Sequence, residues 1–82
     1  MAVSAKAWVD YQDIDDLGRV LTLERFFSPG GRVAVGERVL TSDHEGNRCE
    51  GTVVEIEENG VVAIELDEET FVSGEHPAPA EP

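Results

Sequence analysis

The sequence predicts an all-β fold: five or six antiparallel strands in a strongly bent sheet that curls toward a small barrel. Three features carry this. Apolar residues recur with period two, many of them are β-branched, and glycine-bearing breaks fall roughly every ten to fifteen residues. With 82 residues the chain forms one domain, and a domain of this size buries only about 60% of the surface it exposes when unfolded. The domain is expected over residues 1–73. A disordered tail is expected over 74–82, where GEHPAPAEP has three prolines and no large apolar side chain.

The first two strands are expected near 7–14 and 20–27. A three-residue loop, Asp16-Leu17-Gly18, then pairs Asp15 with Arg19, Ile14 with Val20, Tyr11 with Leu23 and Trp8 with Phe26. Val9, Tyr11, Leu21 and Leu23 would line the inner face of this hairpin. Trp8 and Phe26 would share the other with Asp10, Gln12, Thr22 and Glu24. The SPGG segment, Ser28 to Gly31, reads as a turn, and a third strand follows near 32–41.

Strands near 49–57 and 61–67 flank Asn59-Gly60. A two-residue loop there would set Ile64 opposite Glu55 and mix apolar with acidic residues on both faces. A three-residue loop, Glu58-Asn59-Gly60, pairs Ile56 with Val62, Val54 with Ile64 and Thr52 with Leu66, and leaves Glu55, Glu57 and Glu65 on the solvent side. A slip of one residue turns every side chain over, so burial selects the second register, with Gly60 left-handed in a bulge. Gly51 is expected to supply a bend, and Phe71 and Val72 a short extension. The expected core is Val9, Tyr11, Leu21, Leu23, Val54, Ile56, Val62, Ile64 and Leu66.

Eighteen acids against six bases give a formal net charge of −12. All six bases (Lys6, Arg19, Arg25, Arg32, Arg38 and Arg48) fall in residues 1–48 beside eight acids; residues 49–82 hold ten acids and no base. Nucleic-acid binding draws much of its affinity from cations that displace counterions at phosphates, so direct binding is disfavoured. No apolar run approaches the ~20 residues of a membrane helix. The start, MAVSAKAWVDY, lacks the apolar block of a signal peptide, so a cytoplasmic location is expected. One cysteine, Cys49, and two histidines, His44 and His76, offer neither an internal disulfide nor a Cys/His zinc set.

The stretch DIDDLGRVLTLE, residues 13–24, tests calcium binding. Asp13, Asp15, Gly18, Val20 and Glu24 occupy the first, third, sixth, eighth and twelfth places of a calcium loop. Leu17 and Leu21 stand where oxygen ligands belong, and Pro29 with two glycines follows where a helix should leave the loop. The hairpin reading is preferred, calcium binding at 13–24 is the alternative, and no metal or cofactor is assigned. Cys49 and His44 are a conceivable nucleophile and base, but Glu45 and Glu50 beside them oppose a thiolate. No phosphate loop, GxSxG or His/Glu metal motif is present, so catalysis is not expected.

Residues 36–67, GERVLTSDHEGNRCEGTVVEIEENGVVAIELD, carry a glycine before a valine-rich strand, a polar loop, then G-T-V and a hairpin. Through Gly36, Val39, Gly46, Gly51, Thr52, Val53 and Gly60 this segment resembles SH3-like small barrels of the KOW and Tudor type. The remainder resembles short bacterial proteins that supply no function. The KOW resemblance implies an accessory of RNA or transcription machinery, using Lys6, Arg19, Arg25, Arg32 and Arg38. A Tudor reading requires an aromatic cage from Trp8, Tyr11, Phe26, Phe27 and Phe71. A DNA-mimic inhibitor is a further alternative. The preferred expectation is a non-catalytic module whose acidic face, Glu55, Glu57, Glu65, Asp67, Glu68 and Glu69, binds a basic protein surface, with Trp8 and Phe26 as a possible contact patch or as cover for the core.

Overall fold

The computed structural model describes residues 3–74; the expected tail, from residue 75 onward, lies outside the described residues. Among the described residues there are six strands: β1 (Ala5–Trp8), β2 (Arg19–Leu23), β3 (Phe27–Ser28), β4 (Arg38–Ser42), β5 (Arg48–Ile56) and β6 (Val61–Leu66). They form one sheet, curled into a half-barrel, in the order β2-β6-β5-β4-β1-β3. Short 3-10 turns cover Tyr11–Asp13, Glu24–Phe26 and Glu68–Thr70. The all-β expectation holds, with one change in strand direction: β1 runs parallel to β4.

The expected pairing of the first two strands does not form. Asp10 ends the first strand early: its carboxylate accepts from the Gln12 N–H and starts the 3-10 turn at Tyr11. Such local side-chain bonds divert the backbone from a ladder. The chain then leaves the plane of β1, which pairs with β3 and β4 instead. The turn itself keeps its predicted place. The Asp15 N–H donates to the Arg19 carbonyl at 2.8 Å, and Gly18 takes a φ of +76°.

Strand β2 pairs with β6, setting Val20 opposite Ile64 and Thr22 opposite Val62. Val20 and Thr22 are therefore buried, whereas Leu21 is 51% exposed and Leu23 half-buried, the reverse of the expected face. The strand expected at 32–41 begins late, as β4 at Arg38. The preceding residues fold into a turn closed by the Glu37 carboxylate accepting from Ala34 N–H, with Gly36 at φ +95°.

The β5–β6 hairpin keeps the predicted loop. Ile56 pairs with Val62, Glu57 N–H donates to the Val61 carbonyl, and Gly60 is left-handed at φ +88°. Beyond Ile56 a bulge at Val54 shifts the register, so Val53 rather than Val54 faces Ile64 and is buried. Thr52 pairs with Glu65, not with Leu66 as expected, because the extra residue turns the strand over. Gly51 serves close approach of β5 to β6: a Cβ there would lie 2.6 Å from Ile64 Cγ2 and 2.8 Å from the Glu65 carbonyl oxygen.

Val9, Val62 and Ile64 occupy the core as expected, joined by Ala5, Ala7, Val20, Phe27, Val39 and Val53. Tyr11, Ile56 and Leu66 pack against its edge. Beneath them, the buried Thr41 hydroxyl donates to the Cys49 carbonyl at 2.6 Å and accepts from the Tyr11 hydroxyl at 2.8 Å. This anchors the Tyr11 turn on β4. Short of any reagent, the bulge makes a testable statement about two adjacent valines. Val53→Ala is expected to destabilise by about 2 kcal/mol through two lost buried methyl groups and the cavity left behind. Val54→Ala should cost less than half of that in urea unfolding; the opposite order would place Val54 inside.

Candidate interaction surface

The ladder sorts the outer face of the sheet into rows. One row crosses four strands as Arg19, Glu65, Thr52 and Arg38. The next is Leu21, Ala63 and Glu55. The third sets Leu23 beside Val61, whose carbonyl binds the Glu57 N–H. An apolar strip thus runs along β2 and β6, and Glu55 and Glu57 border it on the β5 side.

The opposite border comes from β1. The Thr22 hydroxyl donates to the Trp8 carbonyl at 2.7 Å, drawing β2, one end of the curled sheet, toward β1 near the other. Trp8, opposite Ser42 on the outer side of β1, meets Phe26 edge to face, with ring centroids 6.1 Å apart. Sequence reasoning paired these two residues in a ladder. They meet instead as ring neighbours, one from β1 and one from the turn after β2. The His44 ring stacks on Trp8 at 6.0 Å, and the Arg25 guanidinium lies 5.4 Å from the Phe26 centroid. Trp8 and Phe26 remain 46% and 40% exposed, so they do not close the core. With Leu21, Leu23 and Val61 they line a groove of about 310 Å³ to which Asp10 and Asp13 contribute.

The six acids expected to form one face are divided by the fold. Glu55 and Glu57 border the apolar strip. Glu65 lies between Arg19 and Thr52 across the sheet. Asp67 is bound by Arg38 at 2.7 Å, and the same guanidinium reaches Glu50 at 3.1 Å. Glu68 and Glu69 stand exposed on the last 3-10 turn. The Arg38 hydrogen bond holds the pKa of the Asp67 carboxyl below its ordinary value, and the Asp67 and Glu50 bonds raise that of Arg38.

Two of the oxygen ligands of the calcium alternative are engaged elsewhere. Asp15 accepts from the Leu17 and Arg19 N–H groups and from the Arg19 side chain, which lowers its pKa. Glu24 accepts from Val33 N–H. Among the described residues no three His, Cys, Asp or Glu side chains are grouped to hold a metal ion. Cys49 is buried, its thiol bonded to the Asp67 carbonyl at 3.2 Å and pushed up in pKa by burial, while His44 stands exposed against Trp8.

Comparison with protein families, curated proteins and solved structures finds no match for this chain. Among the described residues no helix is long and apolar enough to cross a membrane. Asp10, Leu21, Leu23, Val61 and His44 belong to the surface but were not among the residues the sequence singled out for partner binding, and Asp13 was singled out only as a calcium ligand. One signal was available: VLTL places apolar residues on both faces of β2, and a half-buried strand has core for only one.

The arginine bridge makes a pH-dependent prediction. Asp67 has a depressed folded pKa, so its contribution to stability is present above its ordinary value of 3.8 and is lost as pH falls through the folded value. Arg38→Gln is therefore expected to lower the urea midpoint at pH 7. The gap from the parent should narrow as pH falls below about 4; a gap that is constant with pH would refute the assignment.

Proposed function

We infer that this chain is a non-catalytic interaction module that binds a basic segment of another protein in the groove beside β2. One observation carries the reading: an apolar and aromatic strip, exposed at Trp8, Leu21 and Phe26, has carboxylates on both sides, Asp10 and Asp13 on one and Glu55 and Glu57 on the other. Exposed tryptophan and phenylalanine gain by being covered, and their ring faces attract Lys or Arg side chains. A net charge of −12 speeds the encounter with a cationic partner. The partner is thus a segment in which lysine or arginine flanks an apolar side chain.

The bases of this chain do not support the RNA alternative equally well. Arg19 is held by Asp15 and Arg38 by Asp67 and Glu50, and Arg25 lies over Phe26. The resemblance of residues 36–67 to SH3-like barrels belongs to this proposal as support from fold alone.

Capture of partners from the native cell at low and high salt tests the reading. Binding is expected at about 50 mM salt and to fall steeply toward 0.5 M, where screening shortens to a few ångströms. Trp8→Ala should weaken it by about 2 kcal/mol, roughly thirtyfold. The double substitution Glu55→Gln with Glu57→Gln should flatten the salt dependence. A partner whose affinity ignores salt, or ignores Trp8, rules the reading out.

A further inference from the structure

The groove has a second property, found in its backbone. Ladder bonds between antiparallel strands alternate along each strand. Leu66 N–H donates to the Gly18 carbonyl and Glu24 N–H to the Gly60 carbonyl; with Val20 opposite Ile64 and Thr22 opposite Val62, the even-numbered residues of β2 face β6. The odd-numbered residues therefore turn their polar groups to the other side, and β2 is the last strand of the sheet there.

At Arg19 that side is closed, because its N–H donates to the Asp15 carboxylate and its carbonyl accepts from the Asp15 N–H. Beyond Leu23 it is closed again by the 3-10 turn at Glu24–Phe26. Between these stops Leu21 keeps a free N–H and a free carbonyl, and Leu23 a free N–H, with no partner among the described residues. No proline, lysine or bulge blunts this edge, devices by which proteins ordinarily keep a bare strand from pairing. The opening coincides with the groove walled by Trp8 and Phe26.

We propose that the partner segment binds in extended form as a short added strand on the open edge of β2, exchanging backbone hydrogen bonds with Leu21 and Leu23. This rests on the basic-partner reading above and specifies its geometry. The backbone bonds give affinity and register, and side chains pointing alternately up and down give selectivity. One set enters between Trp8, Leu21 and Phe26; cationic neighbours reach Asp10 and Asp13. A second copy of this chain is the poorer occupant, since two surfaces of the same sign and a charge of −12 on each chain repel.

The test uses the full chain, isotopically labelled, and a short synthetic peptide alternating lysine with valine. At saturation the Leu21 and Leu23 amides should exchange with solvent about tenfold more slowly, the scale of one backbone hydrogen bond. Nuclear Overhauser contacts should join the peptide backbone to Leu21, while the Val20 amide, already in the ladder, should change little. Leu21→Pro removes the edge donor together with the leucine side chain and should weaken the peptide by about tenfold or more, whereas Leu21→Ala keeps the donor and should weaken it less; the exchange and contact measurements on the unmodified chain decide the matter where the proline variant does not fold. If the peptide binds in a salt-sensitive way but the Leu21 and Leu23 amides exchange at their unbound rate, strand addition is wrong and the basic-partner reading stands. If no binding occurs at low salt, both fall. Protection of Leu21 that grows with protein concentration in the absence of peptide assigns the edge to a second copy and overturns the proposal.

Discussion

The pairing of β2 with β6 decides what this chain shows to water. It sends Val20 and Thr22 inward against Ile64 and Val62, and in doing so forces Leu21 and Leu23 outward. The same choice makes β2 an end of the sheet and leaves β1 free to join β4. The Thr22 hydroxyl then fastens β2 to β1 across the mouth of the half-barrel by its bond to the Trp8 carbonyl. The aromatic wall, the apolar strip and the unpaired edge all descend from this one ladder.

What could be read from the sequence divides along lines of sequence distance. The loop at Glu58-Asn59-Gly60, the Ile56–Val62 pair and the Asp15–Gly18 turn are set by residues within a few positions of one another, and each is found where the pattern placed it. The partner of a strand is not local information. VLTL fits β6 as well as it fits the segment before it, and the choice rests on Asp10, whose carboxylate ends the first strand by capping a turn. The Val54 bulge was equally hidden, because Val53 and Val54 are the same residue type and the alternation does not say which of them is the extra one. For the surface, Trp8 and Phe26 were recognisable as a pair, whereas Asp10, Asp13 and the outward leucines acquire meaning only once β1 and β2 are brought together.

Charge placement follows a comparable logic. The arginine-poor second half of the chain obtains its cation from the first: Arg38 on β4 reaches across to Glu50 and Asp67. Arg19 is held within its own turn by Asp15. Acids near the groove have no such companion among the described residues, since no ion pair involves Asp10, Asp13, Glu55 or Glu57. The three ion pairs lie at the Asp15 turn and where β4 meets β5 and Asp67, and none of them reaches the groove.

Trp8 is the single tryptophan of the chain. Its indole stands half in water between Phe26 and His44, at the wall of the groove. The protein therefore carries one indole fluorophore, and carries it where occupancy would change its surroundings. Tryptophan emission, excited where tyrosine does not absorb, reports on the groove before it reports on the core.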